Sequence, residues 1–566
     1  MTRPPSTPAD LPVNLDDVQG NVAPGFATRR QAFLLLRFGE PANAREWLAE
    51  LARSVAPARL AAAKEGSLVN VALSWAGLER LAAPGLEGFP EEFRQGMAAR
   101  ADVLGDRDVA LWEAGGTPDT EAHALVIVGA RAPRTFEAAV ARQRRRARAH
   151  GLAEVAVYLG EALDGALRKH EHFGYRDSAS QPVLGGAGAD TRVGEFILGY
   201  PDEEGRTALA GPDWTRNGSF LVFRRLRQHV AAFRGTLARE ARGTGLTAEQ
   251  LGAKLIGRWP SGATIGAPLP PRDPGIRDDT PPTITREEFA SDPDGERTPL
   301  FAHIRKAHPR ALAAAAPARH RLLRRGIPYG PPLAAGAAKE DGQDRGLLFV
   351  AYQASIARQF EHIQQHWFNR SDFPPGVRPE PGADPLVGQP SERHEVQLPT
   401  ERGHVAIGLD RFVTVTAGGY FFTPSIRALA LLARPTPQVR GETRPMSYRS
   451  QDGRLSAEAA RRLGEFIHQQ NPYPWQMELP LDLERLSSYE EVEMEGPGKH
   501  RDQGNPFTVV DVTGDRVRFM EGLFWYFGGK PRRMSKAIRI EYRYTVNDKE
   551  YTQHLLIGYE GAGGGM

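Results

Sequence analysis

The stretch QAFLLLRF, at residues 31–38, is a short apolar run without glycine or proline, which is typical of a buried β-strand. Three more such runs follow: SLVNVALSW at 67–75, HALVIVG at 123–129 and EVAVYL at 154–159. Helical patterns lie at 43–53, after the first run, and at 131–150, after the third. The order β-α-β-β-α-β predicts a ferredoxin-like unit.

The second half of the chain repeats this alternation. Strand-like runs lie at 219–224 (SFLVFR) and 346–352 (GLLFVAY), and a helical pattern follows each of them, at 226–242 and 354–368. The sequence FVTVTAGGYFF at 412–422 predicts a β-hairpin with a Gly-Gly turn. We therefore expect a second unit built on the same plan as the first.

Two further segments stand apart from this alternation. Residues 261–296 are rich in proline, aspartate and glycine, and a long insertion inside a compact domain is usually functional or flexible. An alanine-rich pattern at 310–324 predicts a helix after the insertion. Beyond a change of composition near 433–442, a helix is predicted at 457–470. Strands are predicted near 507–512, 516–520, 536–544 and 553–559, with a hairpin at 546–549.

These patterns predict an α+β protein of two ferredoxin-like halves with a smaller β-rich C-terminal domain. The predicted divisions are a flexible N-terminus at 1–13, a first half at 14–240, a second half at 241–433, a linker at 434–442 and an extra domain at 443–566. The last of these contains no motif that points to chemistry. It is a candidate surface for homo-oligomers or for a protein partner.

Composition excludes several classes of protein. The 566 residues include no cysteine, so there is no disulfide scaffold, zinc-thiolate finger, iron–sulfur cluster or thiolate haem ligand. The 72 basic and 69 acidic residues leave a net charge of +3, which argues against a dedicated nucleic-acid binder. No apolar run approaches the ~18 residues of a membrane span, and the N-terminus shows no export signal, so we expect a cytoplasmic protein without a membrane partner.

Three stretches combine chemically useful residues. Residues 172–182 (HFGYRDSASQP) place an aspartate among small residues that let the backbone approach a flat ligand. Residues 301–310 (FAHIRKAHPR) lead towards 323–330 (LRRGIPYG) and bring histidines and arginines. Residues 347–363 (LLFVAYQASIARQFEHI) complete the set. Because cysteine is absent, only histidine, tyrosine or methionine could hold a haem iron.

Together these stretches resemble the dye-decolorizing peroxidase family. The resemblance covers roughly 14–433 and continues through DVQGNV at 17–22, GEFILGY at 194–200, NGSFLVFRRLRQ at 217–228, GRWPSG at 257–262 and GGYFFTPS at 418–425. It implies two ferredoxin-like halves that form a sandwich-barrel around one haem b per chain. The implied reaction uses hydrogen peroxide to oxidise dyes, phenolics and similar small aromatic reductants through an oxoferryl intermediate.

The resemblance assigns a role to individual residues. Asp177 matches the distal acid–base residue, Arg324 the distal arginine and His303 the proximal iron ligand. Asp384 is a weaker match for the acid that hydrogen-bonds the proximal ring, orienting it and raising its basicity. The other implied haem contacts are Phe173, Gly174, Ser178, Ser180, Arg310, Leu347 and Phe349.

Ser178 departs from the family pattern GxxDG, which ends in glycine where this chain has serine. Its side chain either crowds the porphyrin edge, moves Asp177 or adds a hydroxyl to the proton path. A carboxylate base works while ionised, so the resemblance predicts activity that persists at acidic pH, where a distal histidine would be protonated. A charged guanidinium such as Arg324 can stabilise negative charge as the O–O bond breaks.

Several alternatives stay open from the sequence. His308 rivals His303 as the iron ligand, and Arg325 rivals Arg324 as the distal arginine. His362 and His366 have a spacing of four that can bind metal, although a solvated or core-edge pair fits better without a third ligand. The charged cluster at 170–172 could line a haem edge, although local helix-end charge fits better. A haem-binding or porphyrin-processing protein with little peroxidase turnover is the alternative function.

Overall fold

The computed structural model describes most of the chain up to residue 434 and seven strands beyond it. The described ranges are 13–61, 66–177, 180–184, 190–312, 317–389, 391–400 and 403–434, together with the strands after residue 442. The predicted helix at 457–470, Ser178, and almost all of the predicted segments 1–13 and 434–442 lie outside the described residues. Contacts divide the chain into a larger unit, Met1–Ala83 with Gly88–Ala433, and a smaller one, Pro84–Glu87 with Arg434–Met566.

The larger unit combines helices with antiparallel strands. Its strands are β1 (Arg30–Arg37), β2 (Ser67–Leu73), β3 (Ala124–Ala130), β4 (Ala153–Glu161), β5 (Ser219–Gln228), β6 (Leu323–Arg324), β7 (Ile327–Tyr329), β8 (Gly346–Gln353), β9 (Arg393–Thr400), β10 (Gly403–Asp410) and β11 (Val413–Thr423). Its α-helices are α1 (Pro41–Ala52), α2 (Trp75–Arg80), α3 (Glu91–Ala99), α4 (Ala101–Leu104), α5 (Pro133–Ala149), α6 (Val230–Glu240), α7 (Ala248–Ile256), α8 (Arg286–Ala290), α9 (His303–Ala307) and α10 (Ile426–Leu432).

Nine of these strands form one antiparallel sheet. The strand order is β4-β1-β3-β2-β11-β5-β8-β6, and β7 also pairs with β8. Strands β1 to β4 lie together at one end of the sheet, and Phe422 of β11 pairs with Leu73 of β2 beside them. Strand β1 is buried along almost its whole length, as its continuous apolar run predicts. The strands and the two helices predicted in the first half are therefore confirmed.

The predicted hairpin at 412–422 is wrong. Residues Val413–Thr423 form a single strand, β11, which pairs with β5 along its length. The two glycines serve close approach rather than a turn. A Cβ on Gly418 would lie 2.6 Å from the sulfur of Met97, and one on Gly115 would lie 1.9 Å from the carbonyl oxygen of Gly418. The backbone at 114–115 thus packs directly on the backbone of β11, at a position where glycine leaves room for this close approach.

The predicted helix at 310–324 is also wrong in the residues that the structure describes. Pro317–His320 make one 3-10 turn, and Leu323–Arg324 form the short strand β6, which pairs with β8. Pro317 stands inside the alanine-rich pattern, where a proline removes a helical hydrogen bond and clashes with the preceding turn. The difference matters for the site, because the pairing of β6 with β8 fixes the direction of the Arg324 side chain.

Two other predicted helices are present with modified ends. The helix predicted at 226–242 begins only at Val230, since the preceding residues extend β5 to Gln228. The helix predicted at 354–368 is present as two consecutive segments with π-type hydrogen bonding, Ile356–Glu361 and Ile363–Phe368. A π-type segment widens the helix and is frequent at functional sites.

The smaller unit contributes two antiparallel sheets. Its strands are β12 (Thr443–Arg444), β13 (Gln476–Pro480), β14 (Glu490–Glu491), β15 (Phe507–Thr513), β16 (Arg516–Glu521), β17 (Lys536–Val546) and β18 (Lys549–Tyr559). The sheet orders are β12-β17-β14, with β18 on β17, and β13-β16-β15. Strands lie at each position where the sequence predicts one in this region, and β17 pairs with β18 across the predicted hairpin at 546–549. Across the part of the chain described by the structure, no helix has the length and apolar character needed to cross a membrane.

Candidate active site

A large cavity in the larger unit collects residues from all three of the chemically useful stretches. Its free space, counted with its open mouth, is about 1770 Å³. Asp177 and Arg324 line it together with His303, and Leu347 and Phe349 of β8 add apolar wall. The alternation of β8 directs these two side chains to the cavity, while Leu348 and Val350 are buried on the opposite face.

His303, which is partly exposed, forms a pair with the completely buried Asp384. The first residue of α9 is His303, and its Nδ1 atom lies 2.8 Å from Oδ2 of Asp384. Burial alone would raise the pKa of Asp384, but the charge and hydrogen bond of His303, with the N–H groups of Val387 and Leu386, hold it below its ordinary value. In the neutral form of His303, an ionised Asp384 makes Nδ1 the donor, and Nε2 keeps its lone pair for a metal ion.

Asp177 and Arg324 form a second pair in the same cavity. The Nη1 atom of Arg324 lies 3.2 Å from Oδ1 of Asp177. The backbone of Arg324 is fixed by β6 pairing with β8 and by an N–H bond of 3.2 Å to Oε1 of Gln181. Its neighbour Arg325 points away and donates to the carbonyls of Asn21 and Val22. The structure therefore places Arg324, and not Arg325, beside Asp177.

A tight loop carries Asp177. Glu171 accepts the N–H groups of Phe173 and Tyr175, both at 2.9 Å, and Gln228 donates a third hydrogen bond to it. Burial, with a smaller effect of the charge of Asp177, raises the pKa of Glu171 to about 7 against these three donors. Glu171 accepts hydrogen bonds within the loop and lines the cavity, so it fits the haem-edge interpretation of 170–172 better than local helix-end charge.

Buried arginines form one edge of the cavity. Arg310 lines it together with Arg258 and Arg321. Burial, followed by the repulsion of Arg321 and Arg258, lowers the pKa of Arg310 to about 10. Burial likewise lowers the pKa of Arg258 to about 10, and its Nε atom is buried with no hydrogen-bond partner among the described residues. Such a cluster suits anionic groups, since carboxylates would pair with these cations.

These residues fit a haem. A flat apolar ligand with two carboxylates would meet a neutral imidazole nitrogen on one side and the Asp177–Arg324 pair in the same space. The unpaired Nε atom of Arg258 and the neighbouring guanidinium groups of Arg310 and Arg321 can pair with the two carboxylates of the ligand. Phe368 stacks on the His303 ring with centroids 5.4 Å apart, which limits the rotation of the imidazole.

The remaining predicted contacts are distributed unevenly. Phe173 and Ser180 line the cavity, whereas Gly174 does not; its φ of +93° makes the turn of the loop at 169–177 that carries Asp177, here called the distal loop. Ser178 lies outside the described residues. The sequence interpretation assigned no role to Arg258, Arg321 or Phe368, which also line the cavity, although Arg258 lies in the quoted GRWPSG motif.

The structure also places the other histidines that the sequence offered as metal ligands, His308 and the pair His362 and His366. His308 lines the cavity on the side of the arginines, and burial followed by the charges of Arg310 and Arg321 lowers its pKa to about 2. His362 stacks on His320 with ring centroids 3.9 Å apart and lies 4.8 Å from His366. Among the residues that the structure describes, no group of three or more histidine, aspartate or glutamate side chains is arranged to hold a metal.

Comparison with known proteins identifies similar chains. The family profile described as Dyp-type peroxidase, C-terminal, matches residues 201–373. The chain is 30% identical over 453 residues to a dye-decolorizing peroxidase of Auricularia auricula-judae, covering 74% of this chain and 86% of that protein. It is 31% identical over 460 residues to a multifunctional dye peroxidase of an Amycolatopsis species, covering 74% and 96%. A crystal structure of a fungal DyP-type peroxidase from A. auricula-judae superposes with a TM-score of 0.66 at 28% identity, covering 75% of this chain and 99% of that one.

Proposed function

This chain belongs to the dye-decolorizing peroxidase family, and from that premise we propose how its own residues carry out a haem-dependent peroxidase reaction. The protein is a haem peroxidase that uses hydrogen peroxide to oxidise dyes. We assign His303 as the iron ligand and Asp177 with Arg324 as the groups that act on peroxide. One observation carries the assignment: the His303–Asp384 and Asp177–Arg324 pairs converge on the same cavity.

Haem, when bound, supplies the iron at which the O–O bond of peroxide is cleaved and the electrons for that cleavage. Asp177 accepts the proton of one peroxide oxygen at its carboxylate and returns it to the other, which leaves as water. Positioned proton transfer of this kind contributes roughly 10²- to 10⁴-fold in rate. Arg324 stays protonated throughout and stabilises the negative charge that develops on the departing oxygen.

The proximal side prepares the imidazole. Asp384, which is completely buried, accepts the Nδ1 proton of His303 and fixes the tautomer whose Nε2 atom can bind iron. The arginine cluster, Arg258, Arg310 and Arg321, would hold the two carboxylates of the cofactor. The apolar side chains of Leu347 and Phe349 exclude water from the space next to Asp177.

The architecture belongs to the same proposal. The order of strands and helices in 14–240 and the sheet order β4-β1-β3-β2 support a ferredoxin-like first half. We assign 241–433 as the second half, which brings His303 and Arg324. The C-terminal region, 443–566, remains a candidate for oligomer formation or for a protein partner, and a cytoplasmic location remains a prediction.

The test is dye and phenol oxidation by the full chain loaded with haem. We expect peroxide-dependent oxidation of an anthraquinone dye with the haem absorbance intact after many turnovers. Altered tetrapyrrole without dye oxidation would support porphyrin processing instead. Bound haem with no turnover of either kind would make the chain a haem-binding protein, and both results would contradict the proposal.

A further inference from the structure

The loop that carries Asp177 has a narrow neck. The N–H of Asp177 donates to the carbonyl of Lys169 at 3.1 Å, and His170 pairs with Arg176 in an isolated antiparallel bridge. Residue 169 therefore faces residues 176 and 177 across the neck. Any widening of the neck moves the backbone of Asp177 directly.

A single carboxylate from the 261–296 insertion spans this neck. Asp279 forms ion pairs with the side chains of both Lys169 and Arg176, one through each carboxylate oxygen. The Nη2 atom of Arg176 also donates to the carbonyl oxygen of Asp279 at 2.5 Å. The hydrogen bonds of Arg176 and then of Lys169 hold the pKa of Asp279 well below its ordinary value, so the carboxylate stays ionised.

Two other residues lie close to Arg176. The N–H of Arg176 donates to the carbonyl of Pro260, just before the insertion, at 3.0 Å, and the backbone of Gly262, within the insertion, comes so close that a Cβ there would lie 3.1 Å from the Cδ atom of Arg176. The Arg176 side chain is only 8% exposed, whereas Asp279 is 59% exposed. Breaking the two ion pairs of Asp279 therefore leaves the nearly buried guanidinium of Arg176 close to the charge of Lys169 without the carboxylate that pairs with both.

We propose that Asp279 is a positioning residue for the peroxide reaction. Its ion pairs connect the insertion to both sides of the neck of the distal loop and so fix the position of Asp177. Asp279 touches neither peroxide nor haem and acts through Arg176 and Lys169. The inference rests on the proposed role of Asp177, and it gives the insertion a task that the sequence left open between function and flexibility. Misplacement of a catalytic group by about 1 Å can cost up to ~10²-fold in rate.

The experiment compares Asp279→Asn with Asp16→Asn in the haem-loaded full chain. Asparagine tolerates the φ of +52° at position 279, so the substitution removes charge without adding backbone strain. Asp16 makes an exposed ion pair with Arg59 away from the cavity and serves as the matched control. The first readout is hydrogen–deuterium exchange of the peptide that covers 169–177, and the second is the rate constant for reaction with peroxide.

For Asp279→Asn we expect exchange in 169–177 to accelerate at least about fivefold. We expect the peroxide rate constant to fall roughly tenfold, with the KM for dye and the haem spectrum unchanged. Exchange and rate equal to those of Asp16→Asn would overturn the proposal. If Asp279→Asn fails to hold haem, Lys169→Gln, which removes one exposed partner only, carries the same test. A wild-type protein inert to peroxide would refute the proposed function. The exchange measurement would still decide whether the ion pairs of Asp279 hold the loop at 169–177 in place.

Discussion

The Nδ1 atom of His303 lies 2.8 Å from Oδ2 of Asp384, and the Asp384 side chain is completely buried. The other oxygen of Asp384 accepts the N–H groups of Leu386, at 2.9 Å, and Val387, at 2.8 Å. Because these two donors fix that oxygen, the carboxylate cannot rotate away from Nδ1 of His303. The arrangement therefore specifies which nitrogen of the ring is left for iron.

Asp384→Asn should reverse that specification. The two backbone N–H groups would retain the amide oxygen, so the amide NH₂ would face Nδ1 of His303 and turn it into an acceptor. The proton would then sit on Nε2, the nitrogen that iron needs. We expect haem affinity to fall about 10- to 100-fold in a titration followed by haem absorbance. Asp164→Asn, an exposed ion-pair partner of Arg29, is the control, and equal affinities in the two variants would refute this role.

Arg324→Leu should slow the reaction with peroxide without removing haem. Loss of one preorganised donor to developing negative charge typically costs about 10²- to 10³-fold in rate. Arg324→Lys keeps the charge but not the planar fork, and should recover only part of that loss. The measurement is the stopped-flow rate constant with hydrogen peroxide. Arg319→Leu, at an exposed arginine paired with Glu204, should match the wild type; a similar loss there would point to general damage.

Glu171 predicts a pH-dependent contribution to stability. Its pKa is about 7 in the folded protein against an ordinary value of 4.5, so the folded state binds the proton more tightly than the unfolded state. The contribution to the free energy of unfolding is therefore fully present below about pH 4.5 and is lost as pH rises through 7. Relative to wild type, the Tm of Glu171→Gln should rise by about 2 °C or more between pH 5 and pH 8. A Tm difference that does not vary with pH would contradict the assignment.

Continuous apolar runs predicted β1, β2 and β3 because the side chains of these strands are buried on both faces. The sequence prediction failed at 412–422 because a Gly-Gly pair is typical of turns, and only the packing of 114–115 on β11 shows why the glycines are there. It failed at 310–324 because alanine content favours a helix, whereas pairing of Leu323–Arg324 with β8 decides the structure. In both places a contact distant in sequence overrides a local preference.

That packing can be tested at Gly115. Alanine at this position would place Cβ 1.9 Å from the carbonyl oxygen of Gly418 and would also occupy a φ of +80°. Gly245→Ala is the matched control, since its φ is +74° and a Cβ there would meet no atom within 4 Å. Gly115→Ala should reduce the free energy of unfolding by about 1–3 kcal/mol more than Gly245→Ala. Equal losses, measured by denaturant unfolding of the full chain, would show that the backbone conformation alone requires the glycine.

The site divides in the same way. Asp177, His303 and Arg324 lie in quotable motifs and could be proposed from the sequence, with Asp384 as a weaker match. The roles of Arg258 and Arg321 could not, because they come from burial and from neighbours far along the chain. Asp279 shows the limit most clearly, since it is an exposed aspartate in an irregular insertion, and only its two ion pairs reveal the distal loop as its partner.

The most direct test of the central claim is the absorption spectrum of Asp177→Asn and wild type, each loaded with haem, before and after one equivalent of hydrogen peroxide. We expect the same resting spectrum for both proteins, a rapid spectral change in the wild type, and a change slowed roughly 10²- to 10⁴-fold in the variant. Equal rates in the two proteins, with haem retained in both, would contradict the assignment of Asp177 as the group that moves the proton of peroxide.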